Sequence, residues 1–415
     1  MKNFTFHRAV TAAAAVAGFA FAICAQSFTV HFKNGNTQTF NHADVDCISF
    51  SPESYEPGGG ETFTFTEPAN TYIVSRAGDY EFYPKHVSGT DIEGVVKADW
   101  IWAQKLDASD TEQALISDVR LEDGMVRFTA TGNYGNAAVA GFDDAGKVVW
   151  VWLIWMTPTP EDNLIEGDNL LIDRFMGATG ATKEAGKKAW GVILYQWGRP
   201  VPIFGGFEDE WDSNGETFNE ARKWTVMNPE YGFEWKVEKR AVSFEEAIAA
   251  PTTFFTLNAK WLDVENRDLW GAEKTDNDPS PAGYKIPCAE QWGENYMDNL
   301  EYMEDVSGVR YNYNGNYSWF PAGNQNRLYD TGENVVGYPG YMCWNAEYRL
   351  GDFFGVLDNP QFKDYTIEEL IAMGLIGYFP TRLSINCNPD AISGGTKALA
   401  NPSFGFPIRC IRINK

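Results

Sequence analysis

The chain has 415 residues, 44% hydrophobic and 15% aromatic, with 33 basic against 57 acidic residues and a formal net charge of -24. That is enough apolar material for two or three domains and excludes a single small disulfide-stapled fold. The acidity repels phosphate backbones and anionic lipid headgroups, and no Lys/Arg cluster interrupts it, so nucleic acid is excluded as a partner.

Residues 1–25 read as a secretory signal peptide, with Lys2 and Arg8 ahead of the apolar run TAAAAVAGFAFAICA and its small terminal residues. The expected cut follows Ala25 and exports a chain of 31 basic and 57 acidic residues, a balance of -26, to the cell surface or the medium. Cys24 raises lipid anchoring as a second route, against which Ile23 stands where a lipobox takes Gly, Ala or Ser. Residues 26–50 then read as a strand, an Asn34-Gly35 turn, a strand, a polar stretch and a last strand. Such a hairpin module is too small for a core of its own. SPESYEPGGGE at 51–61 follows as a Pro/Gly-rich linker.

From 62 to 158 the pattern is that of a β-sandwich of about seven antiparallel strands. Short aromatic and β-branched runs are punctuated by Pro68 and by Ala77-Gly78-Asp79, Asp123-Gly124 marks a hairpin, and Asp143 to Gly146 supplies another turn. VVWVWLIWMT at 148–157 poses the sharpest question, because its ten apolar residues include three tryptophans. It falls short of the roughly 20 residues a spanning helix needs, so no transmembrane segment is expected. Strand alternation puts Val149, Val151, Leu153 and Trp155 on one face and Trp150, Trp152 and Ile154 on the other. A strand apolar on both sides packs one face in a core, and the other is either covered by the following domain or exposed for binding.

Residues 159–415 read as a less regular α+β part. Helical periodicity is confined to FEEAIAA at 244–250, CAEQWGENYMDNLEYM at 288–303 and TIEELIAMGL at 366–375, the last capped by Thr366 with Glu368 and Glu369 in its first turn. Aromatic, Gly- and Asn-rich segments run between them.

Two resemblances follow from these motifs. ANTYIVSRAGDYEF at 69–82 and GNAAVAGFDDAGKVVWVWLIWMT at 135–157 resemble the opening and close of a sandwich domain of exported Bacteroidetes proteins, fimbrillin-like and adhesion proteins among them; Leu153 stands where that pattern has a histidine. The 28–50 segment resembles a small module placed just after many Bacteroidetes signal peptides. In 159–415, LLIDRFMGATG, LYQWGRPVPIFGG, DPSPAGYKIPCAEQW, SWFPAGNQ, GYPGYMCW and FGFPIRCIRI resemble, in chain order, the landmarks of the Fibrobacter succinogenes major paralogous domain. That family is grouped with C-type-lectin-like folds. The resemblances imply a fold that is mainly β with an α+β C-terminal part, a β-sandwich followed by a C-type-lectin-like domain, with the tryptophan stripe mostly structural.

One cysteine of the resembled pattern is Ser280 here. Four cysteines remain in 159–415, namely Cys288, Cys343, Cys387 and Cys410, and an exported chain permits three pairings of them. The resemblance favours Cys288 with Cys410, the former replacing the lost cysteine, and leaves Cys343 with Cys387.

No histidine occurs from 87 to 415, so a Ser-His-Asp or Cys-His nucleophile and a histidine-ligated zinc are excluded there. A glycosidase needs only a carboxylate pair, but no motif singles one out among 57 acids. FEDEWDSNGE at 207–216 is acidic enough for calcium, yet its oxygens miss the twelve-residue order of a helix–loop–helix site; no other cofactor is implied. The best binding feature is VRYNYNGNYSWFPAGNQN at 309–326, where Tyr311, Tyr313, Tyr317 and Trp319 lie among amides such as Asn314. Flat apolar faces beside amides recognise sugars or polar peptides, while alternate aromatics in one strand serve equally well as core.

The expectation is therefore an exported, non-enzymatic cell-surface adhesion or fimbria-associated binding protein, whose partner is a glycan or a surface protein such as a fimbrial subunit. Two alternatives stay open: a carboxylate-dependent surface glycan hydrolase, and a non-adhesive accessory subunit of a surface protein assembly.

Overall fold

The computed structural model describes residues 27–31, 37–41, 62–105, 115–205, 225–305, 307–322, 326–327, 334–335, 340–387 and 394–413. Contacts divide the chain into two units, 1–58 and 59–415. In the first, β1 (Ser27–His31) and β2 (Thr37–Asn41) pair antiparallel from Ser27↔Asn41 to His31↔Thr37. The further strand expected before residue 50 lies outside the described residues.

The second unit is dominated by β-strands, with short helices. Its first part holds β3 (Thr62–Phe65), β4 (Thr71–Val74), β5 (Gly78–Phe82), β6 (Lys97–Lys105), β7 (Ile116–Glu122), β8 (Met125–Ala130), β9 (Gly135–Phe142) and β10 (Val148–Met156). Asp123 and Gly124, at φ 52° and 77°, make the two-residue turn between β7 and β8, the left-handed pair a tight hairpin requires. One sheet runs β3-β5-β8-β7, and the other runs Thr225–Met227, β6, β9, β10, β4. Their facing sides meet through aromatic rings: Tyr72 stacks on Phe82 at 4.2 Å, and Trp152 meets Phe82 edge-on at 5.2 Å.

The β-sandwich of about seven antiparallel strands expected over 62–158 is corrected here in its pairing. The five-stranded sheet takes its edge strand from Thr225–Met227, beyond that boundary, and β3–β5 and β4–β10 pair in parallel rather than antiparallel. One core also runs without a break from Ala69 to Cys410. β10 explains why: Trp152 and Ile154 face the aromatic core between the sheets, while Trp155 donates its indole N–H to the Ala178 carbonyl at 2.9 Å and the helix Phe244–Ala249 packs on the same strand. The tryptophan stripe is thus buried on both sides. The alanines of β9 leave the room, with Ala138 opposite Leu153 and Ala137 opposite Ile154.

A C-type-lectin-like fold is not what 159–415 forms either. Its described strands make small separate sheets, and the two α-helices among its described residues, Phe244–Ala249 and Ile367–Ala372, have six residues each. The second helix carries the expected Thr366 cap, closed by Glu369 in a reciprocal capping box. The helix expected over 288–303 is instead two 3-10 turns, Ala289–Trp292 and Tyr296–Asn299, followed by the strand Leu300–Tyr302. Gly293 ends the first turn at φ 96°, and a Cβ there would come within 2.5 Å of the Glu166 side chain.

The motifs that carried the second resemblance are the joints of this core. Arg199 of QWGRP is fully buried and donates to the carbonyls of Ala247, Ala250 and Thr253, two of them at the C-terminal end of the helix Phe244–Ala249. Helix C-termini favour a cation there. Arg174 pairs with Asp173 in a buried bidentate contact and also reaches the Thr157 hydroxyl at 2.9 Å. Asn70 donates to the carbonyls of Asp276 and Asp278 at 2.7 and 2.8 Å, and Thr71 donates to that of Pro279, so ANTYIV clasps the DPSP loop.

All four cysteines of this region are free, which overturns both expected bridges. Lys285 pairs with Ile411, so Cys410 lies at the level of Ile286, with Cys288 two residues further on, and the Cys410 thiol donates to the Ser280 hydroxyl instead. Cys343 pairs with Leu383 in the hairpin of Gly340–Gly351 and Gly377–Asn386. Cys387 is four residues past Leu383, about 13 Å along the strand, beyond the roughly 7 Å between Cα atoms that a disulfide spans.

Candidate functional site

The sequence-selected aromatics fall on a three-stranded antiparallel sheet, Leu300–Tyr302, Gly308–Tyr313 and Asn316–Pro321. Asn314 and Gly315, at φ 52° and 81°, form its two-residue turn. That turn fixes the register as Tyr313↔Asn316, Asn312↔Tyr317, Tyr311↔Ser318 and Arg310↔Trp319. Because side chains alternate across a strand, the register divides the aromatics between two faces.

Tyr311 points inward. It is fully buried, stacks on Tyr296 at 4.8 Å, and its hydroxyl accepts from the Glu166 N–H at 3.1 Å. Burial raises its pKa above the ordinary phenol value. Tyr313 is partly buried against the same cluster. These two rings are core, and Asn314 serves the turn.

Tyr317 and Trp319 point outward with Arg310 and Asn312, and Glu301 joins them from the neighbouring strand opposite Arg310. Tyr317 is 50% exposed, and the Arg310 guanidinium lies 4.6 Å from its ring centre. Glu301 accepts from Arg310 Nε at 2.7 Å and from Asn312 Nδ2 at 2.6 Å. Asn312 first, then Arg310, hold the Glu301 carboxyl below the usual carboxylate range by stabilising its charged form. Trp319 is half-buried beside Gly308, where a Cβ would come within 2.7 Å of its ring, and its carbonyl accepts from buried Arg409. The outer face is therefore an aromatic and amide surface with a preset cation, held by a rigid sheet.

Sequence reasoning missed Arg310 and Glu301. Arg310 alternates with Tyr311 in VRYNYNGNYSW and was there to be seen, whereas Glu301 enters only through strand pairing. The acidic 207–216 segment lies outside the described residues, and among the described residues no group of three or more His, Cys, Asp or Glu side chains is gathered to hold a metal. No helix among the described residues is long and apolar enough to cross a membrane. No family model matches the chain, nor does any curated protein or solved structure.

Proposed function

We propose that this is an exported surface protein that binds a glycan or a neighbouring surface protein in adhesion, through the outer face of the 300–321 sheet. The observation that carries the reading is Tyr317, half-exposed on that face and flanked by Arg310, with Asn312 and Glu301 beside it. An aromatic ring beside an arginine, set on a strand rather than a loop, is the composition in which recognition energy concentrates. Export rests on the leader-like residues 1–25, and adhesion on the resemblance to exported Bacteroidetes sandwich and Fibrobacter-type proteins.

The test is a glycan array and a surface-protein panel read with wild type, Tyr317→Ala and Trp319→Ala. A hit weakened by about 1 to 4 kcal/mol in Tyr317→Ala, with an unchanged melting curve, supports the reading. Equal binding by folded variants sinks the placement. Turnover of the bound glycan by wild type would replace adhesion with hydrolysis.

A further inference from the structure

A second surface, away from that sheet, has the makings of a ligand site. A cleft with about 90 Å3 of interior space has Trp197 and Trp261 as its buried floor and Tyr348, Tyr378 and Phe379 as half-buried walls. Aromatic-lined clefts take up the apolar face of a small ligand, and a few placed polar groups set their selectivity.

We propose that this cleft binds a neutral sugar ring, stacking its C–H face on the aromatic walls and taking hydrogen bonds from the rim. The charges nearby satisfy one another. Glu265 pairs with Arg267 and lies 3.9 Å from Lys260, and the Arg267 guanidinium stacks 4.1 Å from the Tyr378 ring centre. Among the described residues that line the cleft, no unpaired charge is left to select a carboxylate or phosphate. A purely apolar ligand would leave the polar rim unused. Tyr348 and Asn258 line the cleft, and neither the Tyr348 hydroxyl nor the Asn258 amide has a hydrogen-bond partner among the described residues. A polyol with one apolar face uses both halves of this lining.

The backbone at the rim points the same way. Asn258 and Ala259 sit at φ 48° and 66° in a two-residue turn closed by reciprocal hydrogen bonds between Leu257 and Lys260. An alanine in the left-handed region is strained and persists only where its surroundings impose it. That turn sets Asn258 and Ala259 into the lining of the cleft.

The experiment is saturation-transfer NMR on the full chain with the methyl glycosides of glucose, galactose, mannose and N-acetylglucosamine, alongside tryptophan emission from the floor. At least one glycoside should receive saturation on its ring C–H protons. Two gentle variants locate it: Tyr348→Phe removes only a hydroxyl, and Asn258→Gly removes the amide while suiting the positive φ. Each should weaken that glycoside roughly three- to tenfold, as loss of one hydrogen bond does, while Tyr317→Ala leaves it unchanged. The proposal is overturned if none of the four glycosides binds, if neither cleft variant weakens binding, or if Tyr317→Ala abolishes it. The last outcome would move recognition to the outer sheet face, and so separates this inference from the adhesion reading above. Preferential binding of a proline-rich or aromatic peptide in the cleft would overturn it as well.

Discussion

The Cys410 thiol donates a hydrogen bond to the Ser280 hydroxyl at 3.2 Å, with both residues fully buried. The side chain that meets Cys410 is thus a hydroxyl at a position one substitution away from a thiol. Burial pushes the Cys410 thiol up to about 12, which leaves it almost entirely protonated and inert at neutral pH. Ser280→Cys should therefore form a bridge to Cys410 under oxidising expression, joining positions 130 apart. Non-reducing peptide mapping should find it, and stability should rise by about 2 to 4 kcal/mol. Free alkylation of both positions in the unfolded variant would reject the geometry.

Arg409 should be among the costliest residues to replace. Its guanidinium is fully buried, donates to the carbonyls of Ile172, Trp319 and Asp173 at 3.0, 2.6 and 2.8 Å, and lies 3.9 Å from the Phe320 ring centre. Desolvation lowers its pKa to about 10, the cost of a buried charge held mainly by dipoles and ring faces. Arg409→Met keeps much of the volume but leaves three carbonyls without that donor, for a loss of about 3 to 5 kcal/mol in urea unfolding. Arg409→Lys should recover little, because a single ammonium cannot reproduce the planar fork. A loss under about 1 kcal/mol in the Met variant would contradict this account.

Local signals in the sequence were sufficient where the structure is locally determined. Asp123-Gly124 and Thr366 with Glu369 act through residues within four positions, and both form as their chemistry requires. The double-sided strand at 148–156 was likewise legible, since alternation shows that both faces are apolar. What covers the second face was not, because Ala178 and the helix Phe244–Ala249 are brought there by tertiary packing. The same limit applies to Thr225–Met227, whose three residues carry no pattern that names Lys97–Lys105 as their partner. In 309–321 the aromatics were visible but their division into core and surface was not, until the turn at Asn314-Gly315 fixed the register. The cleft is assembled from residues 197 to 402, and no single stretch announces it.

Asn70 tests whether the two halves of the 59–415 unit unfold together. Its amide donates to the carbonyls of Asp276, partly buried, and Asp278, buried, and its carbonyl oxygen accepts the buried Trp150 indole N–H at 2.9 Å. Asn70→Ala strands those groups and should cost about 2 to 4 kcal/mol. Because one core spans both halves, the loss should shift a single denaturation transition, followed alike by near-UV signal and tryptophan emission. Two transitions, only one of them displaced, would show that the halves are energetically independent.

The outer sheet face should respond to acid through Glu301. Asn312 and Arg310 depress its carboxyl below the ordinary 4.5, so the folded state favours the ionised form more than the unfolded chain does. A depressed carboxyl contributes stability that is present above the unfolded value and is lost as pH falls through the lower folded value. Once Glu301 is protonated, Arg310 loses its carboxylate and is freed from its place over Tyr317. As pH falls below the ordinary 4.5 and through the lower folded value, wild type should lose the Arg310–Tyr317 stack, seen as a shift of the Tyr317 ring resonances and faster amide exchange in Gly308–Tyr313. Glu301→Gln should show the loosened state at every pH, with no step in that window for these reporters. An identical acid step in both proteins would assign it to another group and remove Glu301 from the design of this face.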